Sequence, residues 1–193
     1  MIVIIHTMEN KSSNIKQVII KGYDSTFDLQ LIEQLGISIK YINLPRSSEF
    51  INMNNMYDII QYEFVPLNTI MVKIINGDIA GTNEWAFGLS FINHRLIYIS
   101  NYRLKQQYYQ TDDMIKECVD FYGKTIDELV FSTNSESHLI RYVLIHELGH
   151  ILTDREFHCR NTNCIMNTIN SIVDLTKNQY YCQSCLNKIR KNL

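Results

Sequence analysis

The sequence predicts an α/β fold of the α+β kind organised around one long helix, and three observations carry that expectation. The β-branched run Lys16–Lys21, a helical pattern at Phe27–Leu35 and an alternating run from Ile37 to Leu44 read as strand, short helix, strand. Such a crossover joins parallel strands right-handedly. Leu139, Ile140, Val143, Leu144, Leu148, Ile151 and Leu152 then recur at helical spacing, a long apolar stripe. Downstream, cysteines spaced C-x4-C and C-x2-C predict a small C-terminal subregion stabilised by metal. At 193 residues the chain has room for one ordinary domain. A single domain over 1–193 is therefore expected, with sheet, helices and the long helix in 1–150 and the cysteine region in 151–193.

The elements follow in order. Met1–His6 is a second candidate strand ahead of Lys16–Lys21. Thr26 is placed to cap a helix carrying Phe27, Leu31, Ile32 and Leu35, stopped by Gly36. Residues 46–56 are polar and read as loop. Pro66 suits a first helical turn, and Leu67, Ile70, Met71, Ile74 and Ile75 have helical spacing, although Met71–Ile75 also fits a strand. Arg95–Ser100 reads as a strand, with His94 in the turn before it. Thr111–Tyr122 reads as a helix ended by Gly123, with Cys118 a small core residue on it. Thr125 and Glu128 make a capping-box pattern, and Ser135 or Ser137 can cap the long helix. Asp174 and Lys177 can form a local ion pair, and Lys188–Lys191 reads as a solvated basic tail.

The chemistry is concentrated between His146 and Cys185. His146 and His150 are one helical turn apart and can chelate one ion, and His158 offers a third imidazole from beyond the helix. Glu147, about 100° around the helix from His146, is poorly placed as a ligand but can reach a metal-bound water. Asp154 is a rival third ligand, but on a continuous helix it lies roughly 12 Å along the axis from His146, too far to share an ion. Cys159, Cys164, Cys182 and Cys185 have the spacing of a four-thiolate zinc site. Two zinc sites side by side, one catalytic and one structural, are expected.

These residues, His146-Glu147-x-x-His150, His158-Cys159, Cys164-Ile165-Met166 and Cys182-x-x-Cys185, resemble the signature of the archaemetzincins, a family of metzincin zinc metallopeptidases. Upstream, Tyr57, Gln61, Tyr62, Asp78, Asn83–Gly88 and Ser100-x-x-Arg103-Leu104 are similar to the same family, so the resemblance covers most of the chain. It implies a mixed, mostly parallel twisted sheet with an antiparallel edge strand. It also implies three histidines on a catalytic zinc, Glu147 as base, four cysteines on a second zinc and Met166 as the methionine under the metal. Within Glu84–Phe91 it makes Trp85, Ala86, Phe87 and Gly88 part of the edge strand that pairs with a substrate peptide. Trp85 and Phe87 share a face there, and Gly88 admits close approach of another backbone. One departure stands out. Where the family has glycine three residues past the second histidine this chain has Thr153, and His158 falls two residues later than the family's third histidine. A helix running on to a turn near Asp154 is expected, since Asp tolerates left-handed geometry better than Thr.

The remaining properties limit the partners. With a net charge of −2 and a pI near 6.3 there is no general basic surface for nucleic acid. The apolar run in MIVIIHTMENK is far shorter than a secretory signal core, and no stretch approaches the ~18 apolar residues of a membrane span. A cytoplasmic monomer acting on peptide or protein substrates is expected, its cysteines reduced and free to bind metal. The function expected is hydrolysis of peptide bonds by Glu147-assisted attack of a zinc-bound water. The alternative is a catalytically inactive two-zinc binding module of the same fold, its histidine site closed by Asp154, Glu156 or another side chain.

Overall fold

The computed structural model describes residues 15–22, 27, 29–55, 60, 63–109, 123–154 and 158–193. The strand expected at Met1–His6, the cap Thr26, Tyr57, Gln61, Tyr62, the helix Thr111–Tyr122 with Cys118, and Glu156 lie outside the described residues. Strand β1 (Gln17–Lys21) is followed by a single helical turn α1 (Gln30–Glu33) and strand β2 (Ser38–Ile42), which lies parallel to β1 as the crossover pattern requires. Gly36 takes φ +81°, the left-handed turn that stops α1. Next come β3 (Ile51–Asn52), β4 (Thr69–Ile75), β5 (Ile79–Ala80), β6 (Gly88–Phe91) and β7 (Leu96–Ser100). The main sheet has the order β2-β1-β4-β7-β6, and only the edge strand β6 runs antiparallel. A separate ribbon pairs β3 with β5.

Three expectations are corrected here. Residues 69–75 form the central strand and not a helix. Ile70, Val72 and Ile74 belong to the core on one face of the sheet, Met71 and Ile75 to the core on the other. A strand buried on both faces has no polar alternation, and its apolar run mimics helical spacing. Residues 46–56 are not all loop, because Ile51 is fully buried where β3 meets β5 and Met53–Asn55 adds a 3-10 turn. The edge strand begins at Gly88 and not at Glu84, because Trp85 instead forms a bridge with Ala80.

The long helix α2 spans Glu136–Thr153, with Ser135 as its N-cap, accepting from the His138 N–H. From Leu139 it is buried on nearly every side, so the stripe seen in the sequence is only part of its apolar contact. One side meets β6 and β7. The other is covered by α3 (Ile172–Lys177) and α4 (Gln183–Asn192). Helix α4 replaces the expected solvated tail. Ile189 is fully buried, and Asn192 Nδ2 donates to the Leu152 carbonyl at 3.1 Å, serving one of the orphan acceptors at the end of α2. The capping box at Thr125 and Glu128 and the Asp174–Lys177 ion pair are both present. Among the described residues, no helix is long and apolar enough to cross a membrane.

Asp78, Trp85 and Arg103 are brought together. Both carboxylate oxygens of Asp78 accept from Arg103, at 2.8 and 2.6 Å, while the guanidinium lies over the rings of Trp85 and Tyr108. A bidentate, half-buried pair with two aromatic faces is geometrically restrictive. It holds the segment leading into the edge strand.

Candidate metal centre

Helix α2 carries His146 and His150 on one face, their Nε2 atoms 3.1 Å apart. Asp154 closes the helix in the left-handed conformation, φ 50° and ψ 48°, with Thr153 still helical and its hydroxyl bonded back to the Gly149 carbonyl. The chain thus turns where Thr153 in place of glycine requires it to. His158 returns to the helix, and its ring centre lies 5.2 Å from those of both His146 and His150. The ligand nitrogens of all three lie within 4.8 Å of one another, and among the described residues no carboxylate joins them.

The protonation pattern follows from the contacts. His146 Nδ1 is 2.6 Å from the Ile165 carbonyl. A carbonyl has no proton to give, so Nδ1 carries it and a neutral ring leaves Nε2 bare. Burial, followed by the charge of His150, holds the His146 pKa well below the ordinary imidazole value, and burial lowers that of His158 too. His158 Nε2 is buried with no hydrogen-bond partner. Orphaned buried nitrogens are costly, and converging bare ones repel. A shared cation would satisfy the orphaned His158 nitrogen: tetrahedral Zn–N bonds of about 2.0 Å put ligand nitrogens roughly 3.3 Å apart, close to the 3.1 Å between His146 and His150 Nε2. The three histidines can hold a metal.

The four cysteines form a second such group. Cys159 and Cys182 Sγ are 3.8 Å apart, and Cys164 and Cys185 Sγ 3.7 Å. Disulfides require about 2.05 Å, whereas four thiolates on zinc at about 2.3 Å are separated by roughly 3.8 Å. The spacing fits a metal and not disulfides. Although burial opposes it, bonds from the Cys185 N–H and the neighbouring thiols bring Cys182, the N-cap of α4, down to about 7. Burial and the charge of Cys164 push Cys185 up.

The two groups share one short segment. Cys164 supplies a thiol, the Ile165 carbonyl orients His146, and the Met166 carbonyl accepts from Cys159 N–H at 2.6 Å, next to His158. Met166 packs on the bare backbone of Gly149, where a Cβ would overlap its sulfur and come to 2.8 Å of Tyr181 Cε1. Gly149→Ala is therefore expected to displace Met166 and cost about 1–3 kcal/mol by overpacking. At this chain length that lowers the melting temperature by roughly 3–10 °C, and calorimetry reads it.

Glu147, beside His146, points to the edge strand. It is buried, and burial pushes its carboxyl up to about 7 against the opposing pull of the Ser90 hydroxyl. Ser90 Oγ hydrogen-bonds Glu147 Oε2 and lies 3.0 Å from the Glu147 carbonyl. A Cβ at Gly88 would stand 2.7 Å from Glu147 Cγ and 2.9 Å from Oε1. Within the chain, the close neighbours of Gly88 are the side chains of Glu147 and Val143. Ser90 carried no signal in the sequence: its partner is 57 residues away, and serine on a strand is ordinary.

The backbone of this strand also divides its contacts. The Ser100 N–H bonds to the Phe87 carbonyl, so Phe87, Leu89 and Phe91 turn their backbone groups toward β7, and even-numbered residues turn theirs outward. The outward Ala86 N–H is taken by Ile79, and Trp85 bridges Ala80. From Gly88 to Phe91, β7 is the only strand that pairs with β6 among the described residues. Of the four edge residues expected from the sequence, Trp85 and Ala86 are thus already engaged by β5, and Trp85 packs edge-to-face on Phe87 at 4.9 Å.

A helix presenting H-E-x-x-H beneath a sheet, with a third imidazole from beyond it, is the layout of the HExxH metallopeptidase class. Residues 91–191, more than half of the chain, match the model of Peptidase family M54, and the chain belongs to that family. An archaemetzincin of Pyrococcus horikoshii is 33% identical over 123 residues, 62% of this chain and 54% of that protein. One of Saccharolobus solfataricus is 32% identical over 117 residues, 60% and 51%. The chain spans about half the length of the curated relatives it matches. Among solved structures, the archaemetzincin of Methanopyrus kandleri superposes with a TM-score of 0.58 at 13% identity, covering 96% of this chain and 98% of that one. A zinc-dependent peptidase of Methanocorpusculum labreanum gives 0.55 at 18%, covering 90% and 99%. At these identities the likeness is one of fold.

Proposed function

We propose that this protein is a zinc-dependent metallopeptidase of one domain, acting as a monomer on peptide or protein substrates. The carrying observation is the convergence of three imidazoles, one with an orphaned buried nitrogen, beside a buried carboxyl one position along the same helix. His146, His150 and His158 would hold the ion through three neutral donors, leaving a fourth position for water. Bound there, zinc supplies a Lewis acid that brings the pKa of a water to about 7 and polarises a carbonyl. Glu147 takes the proton of the attacking water and passes it to the leaving amine. An extended peptide would pair with the outward backbone groups of Gly88 and Ser90. The Tyr181 hydroxyl is committed to the Ile145 carbonyl at 2.5 Å and is not counted on as an oxyanion donor. The four cysteines would hold a second, structural zinc.

Elemental analysis of native protein and His158→Ala under reducing conditions, together with a peptide-cleavage screen of the native chain, tests this. Two zincs per chain falling to about one on substitution, with cleavage by the native protein, is the expected result. Two zincs in both proteins would remove His158 from the site. Four protein ligands around the first zinc, with no hydrolysis, would make the protein a binding module.

A further inference from the structure

Strand β6 does more than border a cleft. Its period of two turns Leu89 and Phe91 into the core on the far face of the sheet, and Gly88 and Ser90 toward α2. Both inward positions meet the same side chain, Glu147. Ser90 Oγ has one proton and two acceptors in reach, the backbone carbonyl and Oε2 of Glu147. The carbonyl already accepts within the helical ladder, so the Ser90 proton goes to Oε2. Oε1 lies over Gly88, in the space a side chain would fill. No described group donates a hydrogen bond to it. One oxygen is tethered and the other is left to receive a proton.

We propose that Ser90 is a positioning residue for the general base, tethering Glu147 Oε2 so that Oε1 is presented in a fixed place. This rests on the peptidase reading above. The backbone of the same residue points outward, to the edge that would pair with substrate. Ser90 would thereby tie the register of the bound peptide to the position of the base. Glu147 freed from its tether gains alternative side-chain rotamers, and misplacement by about 1 Å costs roughly 10²-fold in rate.

The test uses the full chain loaded with zinc. Ser90→Ala is expected to retain the native zinc content, to lower kcat by about 10- to 100-fold on a fluorogenic peptide cleaved by the native protein, and to leave KM within about twofold. A second measurement does not depend on activity: urea unfolding of native protein, Ser90→Ala, Glu147→Ala and the double variant. Coupling is expected, with Ser90→Ala changing the unfolding equilibrium about tenfold when Glu147 is present and little when it is absent. Unchanged kcat, a change confined to KM, zinc lost together with activity, or equal penalties in the two backgrounds would each overturn the proposal. If the native chain cleaves no peptide, the peptidase reading fails by itself, and the unfolding cycle still decides whether Ser90 holds Glu147.

Discussion

Glu147→Gln is expected to keep its metal and lose hydrolysis, with kcat lower by about 10²- to 10⁴-fold. Glutamine is nearly isosteric and retains a carbonyl oxygen for the Ser90 hydroxyl, so the contact with β6 survives in the variant. The three imidazoles do not depend on that carboxyl: His146 is oriented by the Ile165 carbonyl, and His158 arrives from beyond the helix. Only the capacity to accept a proton is removed. Zinc content and steady-state kinetics on the same preparation check this, and activity retained in pure protein would show that another group is the base.

Cys185→Ser is expected to have the largest structural effect. Cys185 is buried against Cys164, and burial holds both thiols above their ordinary pKa, so their thiolate forms need a cation to stabilise them. A serine hydroxyl does not ionise at neutral pH and does not replace the ligand. Structural zinc sites are worth about 10–16 kcal/mol in small peptides, comparable with the whole stability of a domain. Losing a substantial part of that should lower the melting temperature by roughly 10 °C or more. Zinc at the histidine site should fall with it, because the segment Cys164–Met166 serves both groups through the Ile165 and Met166 carbonyls. Thermal unfolding and elemental analysis read the two effects together. Full occupancy at the histidine site in the variant would show the sites to be independent.

The parts that were legible in the sequence are those whose signal is local. His146 and His150 are one turn apart, the cysteine pairs have chelating spacing, and the turn at Asp154 follows from the refusal of Thr153 to take a left-handed conformation. The crossover β1-α1-β2 was legible because a period of two gives way to a helical spacing and returns. Strand β4 was ambiguous because burial on both faces erases the alternation that marks a strand. Gly88 shows the limit well. A glycine in a strand announces that something comes close, yet not from which side, and the neighbour within the chain is helix α2. Ser90 and the Asp78–Arg103 pair are contacts across 57 and 25 residues, and no spacing in the chain encodes them.

The hairpin between β6 and β7 is closed by a 3-10 turn at Ile92–His94 and by Arg95 in the left-handed conformation, φ 51°. None of these residues is among the metal-binding groups, yet they decide which side chains of β6 look at α2. A slip of one residue would exchange every inward position for an outward one. Leu89 or Phe91 would then face the carboxyl of Glu147, an apolar wall where the hydroxyl stood. The turn is consequently expected to be as intolerant of insertion or deletion as the H-E-x-x-H spacing itself, and its length is a parameter of the proposed chemistry.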